Sequence, residues 1–154
     1  VSFMIEGDAV RRHGLPVADY FLWNDDFEYS TRVLREGRGY LVRDSTVEHR
    51  TRTFGSTDVD PGARFYFEVR NKVWLLTRSR ALSPLERILY AGAATRSWTR
   101  TFRRSSARAV LADGLRRGLA DGLARGPRAS AVVLSGLGPI TDGVTRLERG
   151  AGRA

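Results

Sequence analysis

The chain has 154 residues, with 26 basic and 17 acidic side chains, a formal net charge of +9, 42% hydrophobic residues and no cysteine. That length is one domain's worth, enough to bury a core without covalent staples. Zero Cys excludes a disulfide framework, a thiolate zinc site and thiol catalysis, and two His leave little room for an all-histidine metal site. No stretch approaches the roughly 18 consecutive apolar residues of a membrane span. No basic n-region precedes an apolar h-region, so no secretory signal is expected. The chain opens on Val1 without an initiator Met and is expected to begin inside a larger protein. Residues 1–80 hold 13 basic and 12 acidic side chains, net +1, whereas residues 81–154 hold 13 and 5, net +8. A basic face of this kind suits phosphates, lipid headgroups or nucleic acid. Because 25 of the 26 basic residues are Arg, amid abundant Ala and Gly, a coding bias would leave the same trace.

In chain order, Phe3-Met4-Ile5 reads as a strand and Asp8 to His13 as a short helix stopped by Gly14 and Pro16. The apolar run Tyr20 to Trp23 halts at Asn24-Asp25-Asp26. Asp25 and Glu28 stand at capping-box spacing, so a helix is expected from there through Phe27, Val33 and Leu34 to Gly37. Tyr40-Leu41-Val42 and Thr46 to His49 read as extended. Residues 50–62 read as a mobile loop. Phe65, Val69, Val73 and Leu76 have helical spacing within 63–80. Ser83-Pro84 is a favourable N-cap and N1 pair opening a second helix, which carries Trp98 and Phe102 among arginines. Leu111, Leu115 and Leu119 continue at four-residue spacing, although Gly114, Gly118 and Gly122 are expected to weaken that helix. The Gly-, Ala- and Arg-rich segment 127–154 is expected to be a disordered tail.

The most informative segment is Trp23-Asn24-Asp25-Asp26-Phe27-Glu28-Tyr29. Carboxylates at a helix N-terminus are stabilised as anions by the dipole and the free N–H groups. One of them can then act as a general base. The adjacent indole offers a flat apolar surface suited to a sugar ring. His49 could ligate a divalent cation as a neutral imidazole. Taken singly, an Asp pair at a helix start is most often a cap, and a lone His is most often structural.

As a whole, Gly14-Leu15-Pro16, Tyr20 to Trp23, Asp25-Asp26-Phe27-Glu28-Tyr29, Gly37 to Gly39 and His49 resemble the acceptor-side half of family 2 glycosyltransferases of the GT-A fold. The nearest branch is the rhamnosyltransferase and galactofuranosyltransferase type. Tyr66 to Asn71 and the segment Gly114 to Gly126 resemble later parts of the same branch. The resemblance implies an α/β chain. A partial GT-A-type domain of few strands and a catalytic helix would occupy 1–62, a basic, mainly helical extension 63–126, and the tail 127–154. It implies that Asp26 deprotonates the acceptor, that Trp23, Asp25 and Glu28 bind it, and that His49 ligates Mn²⁺ or Mg²⁺. The reaction implied is inverting transfer from a nucleotide-sugar donor to a glycan or lipid-linked acceptor. The implied location is cytoplasmic. Residues 84–104, an Arg-rich helix with aromatic anchors, are expected either to contact the inner face of the plasma membrane or to pack on the catalytic domain with a solvated Arg face. The nucleotide-binding half of such enzymes, with its Asp-x-Asp motif, is not found in the chain. Asp58-Val59-Asp60 follows His49 and stands in the wrong order. The segment alone is therefore expected to be inactive.

Two other classes compete. A non-catalytic basic module would bind anionic membrane or nucleic acid. Against nucleic acid stand the near-neutral first half, the acids at 25–28 and the lack of any recognised nucleic-acid motif. A metal-dependent hydrolase using Asp25, Asp26 and His49 lacks a nucleophile arrangement.

Overall fold

The computed structural model describes residues 3–48, 50 and 60–151. The helices are α1 (Gly7–His13), α2 (Asp25–Leu34), α3 (Phe65–Thr77), α4 (Pro84–Arg104), α5 (Arg108–Ala124), α6 (Ser130–Val133) and α7 (Pro139–Ala151), with single 3₁₀ turns at Ala18–Tyr20 and Gly62–Arg64. No helix among the described residues is long and apolar enough to cross a membrane.

The expected α/β architecture is overturned, because no strand exists among the described residues. Phe3 to Ile5, Tyr40 to Val42 and residues 46–48 are neither helix nor strand. Tyr40 and Leu41 are 82% and 86% exposed. A strand is stabilised by a laterally paired neighbour, and no described segment supplies one. β-Propensity alone does not hold an isolated extended run.

α3 is the centre of the molecule. Phe65 and Val69 are buried against Leu111 of α5, with Trp98 and Phe102 of α4 and Leu115 and Leu119 of α5 packed around them. Both α4 rings meet Phe65 edge-on, Trp98 at 6.2 Å and Phe102 at 5.7 Å between centroids. At the other end of α3, Leu75 joins Ala81 and Leu82, flanked by Phe27 of α2. There the chain turns into α4 through a complete capping box. The Ser83 N–H donates to Glu86 Oε2 at 2.7 Å, and the Glu86 N–H donates to Ser83 Oγ.

The glycines of α5 work differently from the expectation. Gly114, Gly118 and Gly122 are all buried, four residues apart on one face. A Cβ added at Gly118 would lie 2.8 Å from the Val69 Cβ and 2.9 Å from the Tyr66 carbonyl oxygen; one at Gly122 would lie 2.8 Å from the Val73 Cβ. Bare backbone thus lets α3 approach closely, and the packing outweighs the propensity loss of about 1 kcal/mol per glycine.

The segment expected to be a disordered tail is also corrected. Through Ala151 it folds back as α6 and α7, which pack on each other, α7 also on α1 and α6 on the 3₁₀ turn at Ala18–Tyr20. Ile140, Val144, Leu147 and Ala151 recur at helical spacing. Glu148 accepts from the N–H groups of Ser130 (2.6 Å) and Ala131 (3.1 Å), which caps α6. Arg128 donates through its backbone and its guanidinium to Asp19, at 2.8 Å in each case. Burial pushes the Asp19 carboxyl up, but the Arg128 hydrogen bonds and charge outweigh it and leave Asp19 below its usual range. Phe27 thus packs on Leu75 and its neighbours across residue 62, and the Asp19–Arg128 pair links the two sides of residue 126.

Two glycine substitutions separate propensity from packing. Nothing lies within 4 Å of a Cβ added at exposed Gly92 of α4. Gly92→Ala is expected to stabilise the fold by up to about 1 kcal/mol. Gly118→Ala is expected to destabilise it by about 1–3 kcal/mol through overpacking. Urea unfolding reads both; equal stabilisation would refute the close approach of α3 and α5.

Candidate functional site

An open groove of about 950 Å³ runs between the start of α2, one face of α3 and the second half of α4. Trp23, Asn24 and Asp26 form one wall, and Trp98, Arg100 and Arg104 stand on the α4 side.

The wall begins in strained backbone. Phe21, Trp23 and Asn24 have φ of 61°, 63° and 65°. None is glycine, and each such conformation costs on the order of 1–3 kcal/mol. Phe21 centres a three-residue turn in which the Leu22 N–H donates to the Tyr20 carbonyl at 2.6 Å. The strain is held by Asn71 of α3, which is fully buried. Its Nδ2 donates to the carbonyls of Tyr20 (2.8 Å), Leu22 (2.7 Å) and Trp23 (3.0 Å), so two N–H bonds are shared among three acceptors. Arg70 fixes the amide's orientation, donating from Nε (3.1 Å) and Nη2 (3.0 Å) to Asn71 Oδ1. The same guanidinium stacks on Trp74, 4.2 Å from its centroid.

Asn24, at the N-cap position of α2, closes the floor of the groove. Its Nδ2 donates to Glu68 Oε2 at 3.1 Å, and Lys72 Nζ donates to its Oδ1 at 2.6 Å. Trp98 Nε1 donates to Glu68 Oε1 at 3.4 Å. The Arg64 guanidinium lies 5.6 Å from the Trp23 ring centroid.

The acids at the start of α2 have three different surroundings. Asp26 is exposed and lines the groove, its Oδ1 accepting from the Phe27 N–H at 2.7 Å. Asp25 is half-buried and is not among the groove-lining residues. Glu28 is 3% exposed and also does not line the groove. It accepts from Arg32 at 2.9 and 3.2 Å and from Ser79 Oγ at 2.7 Å. The expected capping box with Asp25 therefore does not form. Glu28 is placed to orient α2 rather than to touch a molecule in the groove. The structure thus brings Trp23 and Asp26 together in the groove and leaves Asp25 and Glu28 out of its lining.

His49, the expected metal ligand, lies outside the described residues, as do Asp58 and Val59. Asp60 lines the groove, accepting from the Gly62 N–H at 3.1 Å and from the Ser105 hydroxyl. A hard dication such as Mg²⁺ takes several oxygen ligands. Among the described residues no three carboxylate or imidazole side chains converge on one point. These residues do not by themselves fit a site for Mn²⁺ or Mg²⁺.

Trp98 and Phe102 are the aromatic anchors that a membrane-contacting α4 would turn to the bilayer. Instead they pack on Phe65, and Trp98 also lines the groove. Exposed apolar residues of α4 occur earlier, at Leu85 (67%), Ile88 (71%) and Leu89 (62%). Asn71 was missed as a site-forming residue. Its signal was a lone amide inside a helix otherwise rich in apolar residues, between Val69 and Val73.

Removing the Asn71 amide is expected to release the wall. Asn71→Leu leaves the Leu22 and Trp23 carbonyls without their donor and costs about 2–4 kcal/mol. Amide exchange at residues 22–24 should accelerate with it. Unchanged exchange there, with ordinary stability, would show that the turn holds itself.

No protein-family model, curated protein or solved structure matches the chain.

Proposed function

We propose that the groove receives the acceptor of a sugar transfer and that Asp26 is the base that takes the acceptor's hydroxyl proton. The observation that carries this reading is the pairing of an exposed carboxylate with an indole on one wall of a groove large enough for more than one sugar ring. The Trp23 ring gives a sugar an apolar face to stack on. Asp26 stands at the first turn of α2, where free N–H groups and the helix dipole favour negative charge. In the reaction, the acceptor oxygen forms a bond to the donor's anomeric carbon while that carbon's bond to the leaving nucleoside diphosphate breaks. The proton passes to Asp26, and the configuration inverts. Positioning by the Asn71-held wall supplies orientation. No described residue is assigned to donor binding, so the chain alone is proposed to be inactive. This reading agrees with the resemblance to family 2 glycosyltransferases in its site residues Trp23 and Asp26.

In the complete enzyme, Asp26→Asn is expected to lower transfer about 10²–10⁴-fold, the usual contribution of a general base. Donor binding and acceptor binding should survive. Turnover near the unsubstituted level would overturn the base assignment.

A peripheral membrane contact is favoured by one specific observation, the exposed Leu85, Ile88 and Leu89 on the first half of α4. They lie on a helix that also carries Arg87 and Arg96, within the net-positive half of the chain. The chain is expected to co-sediment with phosphatidylserine-containing vesicles at low salt and to lose this on combined substitution of the three residues by Ser. Failure of the unsubstituted chain to pellet would remove the membrane contact and leave the groove reading intact.

A further inference from the structure

The walls of the groove differ in how their charges are engaged. On the α2 and α3 side, Asp26 apart, they are committed to one another. Lys72 is bonded to Asn24 and lies 3.9 Å from Glu68, and Glu68 also accepts from Asn24 and Trp98. Asp60 is engaged by Ser105 and the Gly62 N–H. On the α4 side, Arg100 and Arg104 line the groove, are exposed, and make no ion pair or side-chain hydrogen bond among the described residues. Thr101 and Ser106 add hydroxyls beside them. Two guanidiniums four residues apart on a helix repel each other. A bound anion relieves that repulsion, and the forked donors of Arg match the oxygens of a phosphate or carboxylate. Within a concave site such charges raise the local concentration of anions.

We propose that the acceptor carries an anionic group, a phosphate or a carboxylate, and that Arg100 and Arg104 bind it. This rests on the reading of the groove as an acceptor site and adds the class of acceptor. Asp26 and Trp23 meet the sugar to be extended, and the α4 arginines meet the charged part of the same molecule. An acceptor with both features is oriented along the groove, whereas a neutral glycan engages only one end. Arg96 and Arg103 belong to the same helix but do not line the groove, so they provide a charge-matched control.

The test is calorimetric titration of the chain with four probes: a neutral alkyl disaccharide, the same disaccharide as its 1-phosphate, a disaccharide containing a uronic acid, and inorganic phosphate. One of the two charged disaccharides is expected to bind about tenfold or more tightly than the neutral one, the scale of one charge-assisted contact. Which of them does so identifies the source of the charge. R100Q/R104Q should erase that difference. R96Q/R103Q should preserve it. All four positions are exposed, and circular dichroism verifies that each variant is folded. Equal binding of neutral and charged disaccharides would overturn the anionic acceptor and leave the acceptor groove standing. Binding of inorganic phosphate as tightly as the sugar phosphate, abolished by R100Q/R104Q and with no binding of the neutral sugar, would keep the arginine pair as an anion site but overturn the acceptor reading on which this proposal rests. Binding of no probe would overturn both.

Discussion

One buried amide holds the candidate site in shape. Three residues before α2 adopt left-handed φ without being glycine. Left alone, that backbone would relax, because each such residue costs on the order of 1–3 kcal/mol. Asn71 opposes the relaxation by gathering the Tyr20, Leu22 and Trp23 carbonyls onto one Nδ2. An unpaired carbonyl in the interior is itself costly, so unwinding the turn loses twice. The amide cannot rotate to other partners, because Arg70 donates twice to its oxygen. Arg70 is in turn held on the Trp74 ring and by the Asp19 carbonyl, 2.7 Å from Nη2. The geometry of Trp23 and the start of α2 thus traces back through two adjacent residues of one central helix.

That helix serves several neighbours at once, which explains its composition. Phe65, Val69 and Val73 meet the bare backbone of α5, where β-branched side chains fit against glycine. Glu68 and Lys72 turn to the groove and fix Asn24. Tyr66, Arg70 and Trp74 form a cation–π stack on a further side, and Tyr66 donates to Asp121 of α5 at 2.6 Å. A helix used on every side has no clean amphipathic stripe. Its periodicity is visible in the sequence, but its partners are not.

The helices were legible wherever a local signal sufficed. Ser83-Pro84 with Glu86 predicted the start of α4, and the capping box is there. The start of α2 at Asp25 was legible too, but for a different reason than the one that placed it, since Glu28 is drawn away to Arg32 and Ser79. What failed depended on distant segments. Gly114, Gly118 and Gly122 look like helix weakeners until Val69 and Val73 are set opposite them. Tyr40 to Val42 look like a strand until the lack of a neighbour among the described residues is known. The end of the chain looks too rich in Gly and Arg to fold, yet Arg128 finds Asp19 more than a hundred residues away. In the site, Trp23 and Asp26 were readable because they sit next to one another in sequence. Arg100 and Arg104 were not, because only the packing of α4 on α3 brings them to the same groove.

The acids at the start of α2 show how one local pattern divides into separate tasks. All three gain from the helix dipole, so their clustering is tolerable as sequence. Their burial then sorts them. Glu28 lies one turn in, and its carboxylate is surrounded by Arg32 and the Ser79 hydroxyl. Arg32 also donates to the carbonyls of His13 and Leu15, which ties α2 to the end of α1. A buried carboxylate so fully engaged would lose its partners on reaching for a ligand, and breaking a buried pair is far more costly than breaking a surface one. Asp26 has no such commitment beyond the Phe27 N–H and faces the open groove. The proposed base is therefore a residue with few ties to the fold, and its position is secured by Glu28, which ties α2 to its neighbours.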